Sequence, residues 1–182
     1  RRHRKTRLTL GLMRISVITV CYNAASTLKD AMDSVLGQVP DAETPFELEY
    51  IVVDGGSTDG TLDLLAPYRE RIATLISEPD QGLYDAMNKG VKAATGDVVA
   101  ILNADDVYAS TDVLARVAAT FGETGAEAVY GDLHYVDADD LTQVLRRWRS
   151  GAFRPGAFRR GWMAPHPAPF VARPCHARWG TF

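Results

Sequence analysis

Short apolar runs alternate with amphipathic segments between residues 15 and 130, and this alternation limits the folds that the chain can adopt. The runs are rich in β-branched residues and predict buried strands at 15–20, 49–53, 73–77, 97–102 and 128–130. Apolar spacing predicts helices at 61–68, 83–94 and 112–121, and an earlier helix that Ser26 or Thr27 caps, with a capping box from Thr27 to Asp30, and that runs to about Gln38. Strands that alternate with helices in this way predict an α/β fold, a mainly parallel sheet covered by helices on both faces.

Composition and cysteine content favour a soluble, cytoplasmic protein with one main domain. Of the 182 residues, 46% are hydrophobic, which is enough to bury a core. No apolar run approaches the length that crosses a bilayer. Cys21 and Cys175 are far apart and form neither a metal-ligand pair nor a disulfide framework, which favours a reducing compartment. We expect Cys21 to be a small buried residue.

Charge is distributed unevenly along the chain. Residues 1–14 hold six basic residues and no acids, residues 145–182 hold eight arginines and no acids, and all 23 acidic residues lie between them. One interpretation is an acidic ordered domain with loose basic flanks. The other is that the arginine-rich tail, which also contains Trp148, Phe153, Phe158 and Trp162, contacts an anionic membrane or a lipid-phosphate acceptor. No recognition motif accompanies the charge, so nucleic acid is not an expected partner.

Two adjacent acids follow the apolar run at 97–102. The run leads into Asn103, Ala104, Asp105 and Asp106, so the acids are expected at the edge of a sheet. Adjacent carboxylates repel, and their usual partners are a hard cation or a network of hydrogen bonds. The pair is therefore a candidate metal and phosphate site, and its structural alternative is a turn that caps the following helix.

Polar residues also follow the other predicted strands. Because the carboxyl ends of parallel strands open on one edge, four groups of residues are expected to meet there. These groups are Thr19, Tyr22 and Asn23; Asp54 with the loop 55–60; residues 80–82; and Asn103 to Asp106. The loop is neither a GxGxxG fingerprint nor a P-loop, since it has no lysine, and taken alone it is a turn with a helix cap.

Together these segments resemble the ordered motifs of family 2 glycosyltransferases. The segments are Val17 to Asn23, Val53 to Thr61, Asp80 to Gly90, and Asn103 to Asp106, and the resemblance covers residues 14–136. It implies a GT-A fold, a nucleotide-sugar donor, a divalent cation and inversion at the anomeric carbon. The segments Gly82 to Gly90 and Pro165 to Phe170 look most like bacterial enzymes that build exopolysaccharide or O-antigen repeats.

The resemblance also implies roles for single residues. Asp54 corresponds to the acid that binds the nucleotide base, usually uracil, with Thr19 and Tyr22 in the same pocket. Asn103 would bind a ribose hydroxyl, and Asp105, supported by Asp106, would hold Mg²⁺ or Mn²⁺. Such an ion neutralises the charge on the departing diphosphate. The other donor-site residues that the resemblance implies are Asn23, Ser57, Asp85, Asn88, Lys89 and Ala104. Asp85 and Lys89 also have the spacing of a simple helical ion pair.

The general base for the acceptor hydroxyl is not identified. Residues 145–182 contain no Asp or Glu, and no motif selects Asp132 or Asp137. His166, between two prolines, can contact the diphosphate or the acceptor, or it is an ordinary loop histidine.

The charge distribution and the extent of the resemblance divide the chain into three parts. We expect a disordered basic extension at 1–13, a nucleotide-sugar-binding domain at 14–144, and the truncated start of an acceptor-side region at 145–182.

Three functions remain open from the sequence. The first is an enzyme that transfers a sugar from a nucleotide donor to a growing, lipid-linked glycan. Such an enzyme is expected in the cytoplasm, with peripheral contact at the inner face of the plasma membrane. The second is an inactive nucleotide-sugar-binding module, and the third is another nucleotide enzyme such as a nucleotidyltransferase.

Overall fold

The structure is a computed structural model that describes residues 12–182. Eight strands occur in these residues. They are β1 (Met13–Cys21), β2 (Phe46–Asp54), β3 (Thr74–Ser77), β4 (Val98–Ile101), β5 (Ala128–Tyr130), β6 (Leu133–Val136), β7 (Val144–Trp148) and β8 (Pro169–Ala172). All five predicted strands are present. Apart from its last two residues, the predicted extension at 1–13 lies outside the described residues, and Met13 is the first residue of β1.

Six strands form the central sheet, in the order β3-β2-β1-β4-β8-β5. The first four are parallel to one another, which confirms the mainly parallel α/β fold. β8 lies antiparallel between β4 and β5, where Phe170 pairs with Ala100 on one side and Val129 on the other. The segment 145–182, predicted to begin an acceptor-side region, therefore also supplies one strand of the central sheet.

Five α-helices lie in the described residues: α1 (Leu28–Leu36), α2 (Thr61–Leu65), α3 (Leu83–Ala93), α4 (Val113–Thr124) and α5 (Arg173–Trp179). The helix predicted at 61–68 is only partly α-helical, because a proline leads into a 3₁₀-helix at Ala66–Arg71. The predicted capping box is wrong. Thr27 precedes α1, but its side chain makes no capping hydrogen bond. The two N–H groups that a capping box would use donate to backbone carbonyls instead, that of Asp30 to Thr27 and that of Thr27 to Ala24.

The sheet is covered on both faces, as predicted. On one face α1 and α4 bury Leu28, Met32, Leu114 and Phe121. On the other face α3 buries Ala86, Met87 and Val91 against Ile18, Ile51 and Val99. Gly90 allows this close contact, because a Cβ atom at position 90 would overlap Cγ2 of Ile18. Close packing of α3 on β1 positions the start of α3 beside the carboxyl ends of the strands.

A buried carboxylate joins β2 to the turn before β4 at the amino end of the sheet. Glu49 accepts hydrogen bonds from Ser16 Oγ at 2.5 Å, from Thr95 Oγ1 at 2.6 Å and from Thr95 N–H at 2.8 Å. Burial raises the pKa of Glu49, but the hydrogen bonds from Ser16 and Thr95 outweigh burial, so this pKa lies below its ordinary value. The ionised carboxylate therefore stabilises the folded state at neutral pH.

β6 and β7 form a separate antiparallel hairpin with a bulge between Tyr135 and Val136. Every residue of β7 is exposed. Across residues 12–182 the helices are all too short or too polar to cross a membrane.

Candidate nucleotide-sugar site

The carboxyl ends of the parallel strands lie at one edge of the sheet, which we call the rim. Cys21 at the end of β1 pairs with Asp54, and Asp54 pairs with Ser77 at the end of β3. The N–H of Leu102, directly after β4, donates to the carbonyl of Ile18 at 2.9 Å. The loops after β1, β2, β3 and β4 therefore leave the sheet side by side, and the predicted meeting of these four groups is confirmed.

Asp54 holds the glycine-rich loop at the rim. Its side chain is fully buried, and Oδ2 accepts the N–H of Gly56 at 3.2 Å and the hydroxyl of Ser77 at 2.8 Å. The N–H of Ser57 lies 3.2 Å from both carboxylate oxygens, and its hydroxyl donates to Oδ1. Both oxygens of Asp54 are therefore bonded to the protein, and its contact with a nucleotide base stays a prediction.

Asn23 joins the loop after β1 to the glycine-rich loop. Its Oδ1 accepts the N–H of Thr58 at 2.9 Å, and its own N–H donates to Ser57 Oγ at 2.8 Å. Asn23 has a φ of 49°, in the left-handed region that asparagine tolerates better than most residues. These hydrogen bonds hold the two loops together, and one of them joins Asn23 directly to Ser57.

Asp59 and Thr61 extend this connection, and neither was singled out as a site residue from the sequence. Asp59 Oδ2 accepts the N–H of Ala25 at 3.0 Å, and Thr61 Oγ1 accepts the N–H of Ala24 at 2.9 Å. Asp59 Oδ1 also accepts the N–H of Thr61. The hydrogen bonds that Asp59 accepts from Thr61 and Ala25 lower its pKa. The signal that could have found them is the acid followed by Gly and Thr at a helix start.

The two residues predicted to line the base pocket with Asp54 lie at different depths. Thr19 is fully buried, and its Oγ1 accepts the hydroxyl of Tyr50 at 3.0 Å. Tyr22 is 66% exposed at the rim. Tyr22 therefore offers a free aromatic face to a ligand, whereas the Thr19 hydroxyl is already bonded to the protein.

Lys89 connects α3 to the loop after β3. Its Nζ lies 2.9 Å from Glu78 Oε1, 3.0 Å from the carbonyl of Pro79 and 3.5 Å from Asp85 Oδ2. The predicted ion pair between Asp85 and Lys89 is present. Glu78 was not predicted, and its hydrogen bond is the main reason that the pKa of Lys89 is raised. Asp85 accepts the N–H of Gln81, which lowers the pKa of Asp85.

Asn88 lies on α3 but contacts a different part of the chain. Its Nδ2 donates to the carbonyl of Phe182 at 2.8 Å, and its Oδ1 accepts the N–H of Phe182 at 2.9 Å. The Phe182 ring stacks on Tyr84 at a centroid distance of 6.2 Å and contacts His166 at 6.0 Å. Asn88 is therefore bonded to backbone in this structure, and its role in donor binding stays a prediction.

The acid pair after β4 forms a compact turn. Asn103 Nδ2 donates to Asp106 Oδ2 at 3.0 Å, and the N–H of Asp106 donates to the carbonyl of Asn103 at 3.1 Å. Burial, followed by the neighbouring charge of Asp105, raises the pKa of Asp106, and Asn103 and the charge of His166 oppose that rise. Ala104 is buried, whereas Asp105 is exposed. These acids do not cap the next helix, because α4 begins only at Val113, after Asp112.

The oxygen atoms of this turn suit a divalent ion that is also bound by phosphate and water better than an ion that is bound by protein side chains alone. No group of three or more His, Cys, Asp or Glu side chains that could hold a metal occurs within residues 12–182. Mg²⁺ and Mn²⁺ prefer oxygen ligands and commonly combine one or two carboxylates with phosphate oxygens and water. Exposed Asp105 next to Asp106 supplies that kind of ligand. Asn103 Oδ1 is buried and has no hydrogen-bond partner among the described residues.

The residues considered for the general base differ in their surroundings. Asp132 Oδ1 accepts the N–H of Ser150 at 2.9 Å, and Asp137 Oδ1 accepts the N–H of Asp139 at 2.9 Å. Asp137 therefore holds a local turn, whereas Asp132 joins the start of β6 to the segment that follows β7. His166 is exposed, contacts Tyr84 edge-on at 6.5 Å and is close enough to Asp106 to affect its pKa.

Cys21 is buried, as expected. Burial and the charge of Asp54 raise the pKa of the Cys21 thiol to about 12. The thiol therefore stays protonated at neutral pH and is not a nucleophile.

Comparison with known proteins identifies the family. The sequence profile of Glycosyl transferase family 2 matches residues 16–177. A PGL/p-HBAD biosynthesis glycosyltransferase of Mycobacterium tuberculosis is 43% identical over 122 residues, which are 65% of this chain and 46% of that protein.

Two solved structures resemble the fold. The mannosyltransferase PcManGT from Pyrobaculum calidifontis, in complex with GDP-Man and Mn²⁺, has a TM-score of 0.69 and 27% identity, covering 95% of this chain and 48% of that one. S. aureus TarS in complex with UDP-GlcNAc has a TM-score of 0.56 and 27% identity, covering 64% of this chain and 33% of that one. This chain spans less than half the length of each of the three relatives. The chain belongs to glycosyl transferase family 2 and has a mainly parallel α/β fold of the GT-A type.

Proposed function

We propose that this glycosyltransferase chain binds a nucleotide-sugar donor, UDP-linked by preference, at the rim and transfers its sugar with inversion to a growing glycan. The observation that carries the proposal is the convergence of the loops after β1, β2 and β4 at one edge, with the acid pair at 105–106 beside them. Similarity to proteins solved with UDP-GlcNAc and with GDP-Man supports a nucleotide-sugar donor. All the named relatives are glycosyltransferases, which favours this class over a nucleotidyltransferase.

The chain's own residues have distinct proposed tasks. Asp54, with Thr19 and Tyr22, would form the base pocket, Asn103 would bind the ribose, and Asp105 with Asp106 would hold Mg²⁺ or Mn²⁺. The remaining proposed donor-site residues are Asn23, Ser57, Asp85, Asn88, Lys89 and Ala104. When bound, the ion supplies Lewis-acid stabilisation of the charge on the leaving diphosphate. The similarity to a Mn²⁺ complex supports a divalent ion.

The acceptor is proposed to be a glycan of the bacterial exopolysaccharide or O-antigen type, carried on a lipid at the inner face of the plasma membrane. Residues 14–144 would bind the donor, and residues 145–182 would begin the acceptor side while also contributing β8 to the sheet. The exposed His166 beside Asp106 is a candidate contact for the diphosphate or the acceptor.

Donor binding and turnover can be measured separately. Isothermal titration calorimetry with UDP and UDP-sugars, with and without Mn²⁺, tests the pocket, and release of UDP from each donor tests transfer or hydrolysis. We expect saturable binding that Mn²⁺ strengthens. Absence of binding to every uridine and guanosine diphosphate tested would refute the proposed donor site.

A second candidate is a donor-binding module without catalysis. One observation favours it: residues 145–182 contain no Asp or Glu, and the carboxylates of Asp132 and Asp137 each accept a backbone N–H group. Metal-dependent donor binding with no UDP release in the presence of lipid extracts and glycan acceptors would select this candidate. UDP release above the rate without protein would select the enzyme.

A further inference from the structure

Two exposed phenylalanines and three arginines form a patch next to the hairpin. Phe153 is 50% exposed and Phe158 is 63% exposed, and their rings lie 5.9 Å apart. Arg154 follows the first ring, and Arg159 and Arg160 follow the second on the same 3₁₀-turn, Phe158–Arg160. We call these five residues the Phe/Arg patch. Large apolar rings next to arginines at a surface are typical of proteins that insert into the headgroup region of a membrane.

The patch is fixed to the sheet by Trp162. The Trp162 ring contacts Phe153 at 5.7 Å, Phe158 at 5.4 Å and Tyr130 of β5 at 5.4 Å. Its Nε1 donates to the carbonyl of Ser150 at 2.9 Å, and the Tyr130 hydroxyl donates to the carbonyl of Gly151 at 2.8 Å. The two exposed rings therefore pack on Trp162, which itself packs on Tyr130 of β5, and they are not part of a loose tail. We call Tyr130 and Trp162 the support of the patch.

The support lies at the rim. β4 and β5 both run antiparallel to β8, so they point in the same direction. Ala100 and Val129 pair with the same residue, Phe170, which puts Tyr130 level with the end of β4. The Phe/Arg patch and the acid pair after β4 therefore share one edge of the sheet.

Charge identifies what the patch can bind. Arg154, Arg159 and Arg160 form no ion pair with any residue from 12 to 182, and residues 145–182 contain no acid. The carboxylate of Asp132 accepts the N–H of Ser150, the residue whose carbonyl binds Trp162. Three unpaired guanidinium groups attract an anionic partner, and two exposed rings favour an apolar layer. An anionic bilayer surface supplies both at the same depth.

We infer that the Phe/Arg patch docks on an anionic membrane surface, with the two phenyl rings in the headgroup boundary and the arginines at the lipid phosphates. This docking turns the rim toward the bilayer. The membrane contact is independent of the proposed function, and only its purpose, presenting the donor to a lipid-linked acceptor, depends on that proposal.

Vesicle co-sedimentation of the full 182-residue chain tests the inference. The vesicles are phosphatidylcholine alone and phosphatidylcholine mixed with phosphatidylglycerol. Phe158→Ser is expected to weaken binding to the mixed vesicles about tenfold. The double variant Arg159→Gln and Arg160→Gln is expected to weaken it about 25-fold, because each arginine contributes roughly fivefold. Every variant keeps the basic residues 1–14, so a difference between variants reports the patch.

Matched controls come from α5, which starts at the opposite edge of the sheet, where the N–H of Arg173 donates to the carbonyl of Asp97. Trp179→Ser removes an aromatic side chain that is 71% exposed, and Arg178→Gln removes an arginine paired with Glu127. Both controls are expected to bind like the parent chain. Thermal unfolding of each variant verifies that it is folded.

The outcomes separate the alternatives. Equal losses in the patch variants and the α5 controls would overturn the inference, and so would equal binding to the two kinds of vesicle. Absence of vesicle binding together with self-association of the chain would assign the patch to a protein interface instead. Vesicle binding that persists in a chain with no affinity for any donor would leave the inference standing while refuting the proposed function.

Discussion

Replacement of Asp54 separates two roles of its carboxylate, support of the glycine-rich loop and contact with a nucleotide base. In Asp54→Ala, the N–H groups of Gly56 and Ser57 and the hydroxyl of Ser77 lose their acceptor. Gly56 and Ser57 are half-buried, and a hydrogen bond to a charged group contributes about 1.5–3 kcal/mol, whereas the hydroxyl groups can turn toward other acceptors. The two N–H groups therefore dominate, and we expect the free energy of unfolding to fall by about 3 kcal/mol.

Asp54→Asn is the matched control, because it keeps the shape and one acceptor oxygen. The N–H of Ser57 lies 3.2 Å from both carboxylate oxygens, so an amide oxygen at the Oδ2 position still accepts from Gly56 and Ser57. The Ser57 hydroxyl can then rotate and accept from the new amide nitrogen. We expect this variant to lose only about 1 kcal/mol of stability.

Two measurements distinguish the roles. Urea unfolding followed by circular dichroism gives the stability of each variant, and calorimetry with uridine and UDP gives its affinity. If Asp54 contacts the base, the folded Asn variant loses uridine affinity although its loop is intact. A folded Asn variant with the parent's uridine affinity would remove Asp54 from the base pocket, and an Ala variant as stable as the parent would refute the support of the loop.

Three further substitutions test other parts of the structure. Asp105→Ala is expected to abolish the Mn²⁺-dependent part of UDP binding in calorimetry without changing stability, because the side chain is exposed; an unchanged effect of Mn²⁺ would contradict the metal assignment. Glu49→Gln is expected to cost about 2 kcal/mol at neutral pH and less at a pH below the ordinary pKa of Glu, because a carboxylate with a lowered pKa stabilises the fold above its unfolded pKa and loses that contribution as pH falls through its folded pKa. Equal costs in urea unfolding at the two pH values would argue against the Glu49 network. Gly90→Ala is expected to cost about 2 kcal/mol in thermal unfolding through overlap with Ile18, and Ile18→Ala in the same chain should recover part of it; additive losses would show that the two positions do not clash.

The parallel part of the sheet could be predicted because its signals are local. Apolar runs such as Val98–Ile101 are too short for helices and too apolar for loops, and the helical segments between them order the strands. β8 could not be predicted in this way. Three prolines at 165, 167 and 169 argue against a strand, and its place between β4 and β5 depends on pairing with residues about 40 and 70 positions away.

The site was predictable to the level of which loops meet, but not to the level of what each side chain bonds. The side chains at the rim fall into two groups that the sequence does not distinguish. In the first group, the polar atoms of Asn23, Asp54 and Ser57 form hydrogen bonds that hold two loops together. In the second, Tyr22 and Asp105 are exposed.

A ligand can meet the second group without disturbing the fold, whereas it meets the first only by exchanging existing hydrogen bonds. Loss of donor binding on replacing Asn23 or Ser57 would therefore report the position of the loops as much as any contact with the donor. Loss on replacing Tyr22 or Asp105, with stability unchanged, would report the contact itself. Direct evidence for the proposed donor site would therefore come from substitutions in the second group. The first group explains why the loops of the site are in place before a ligand binds.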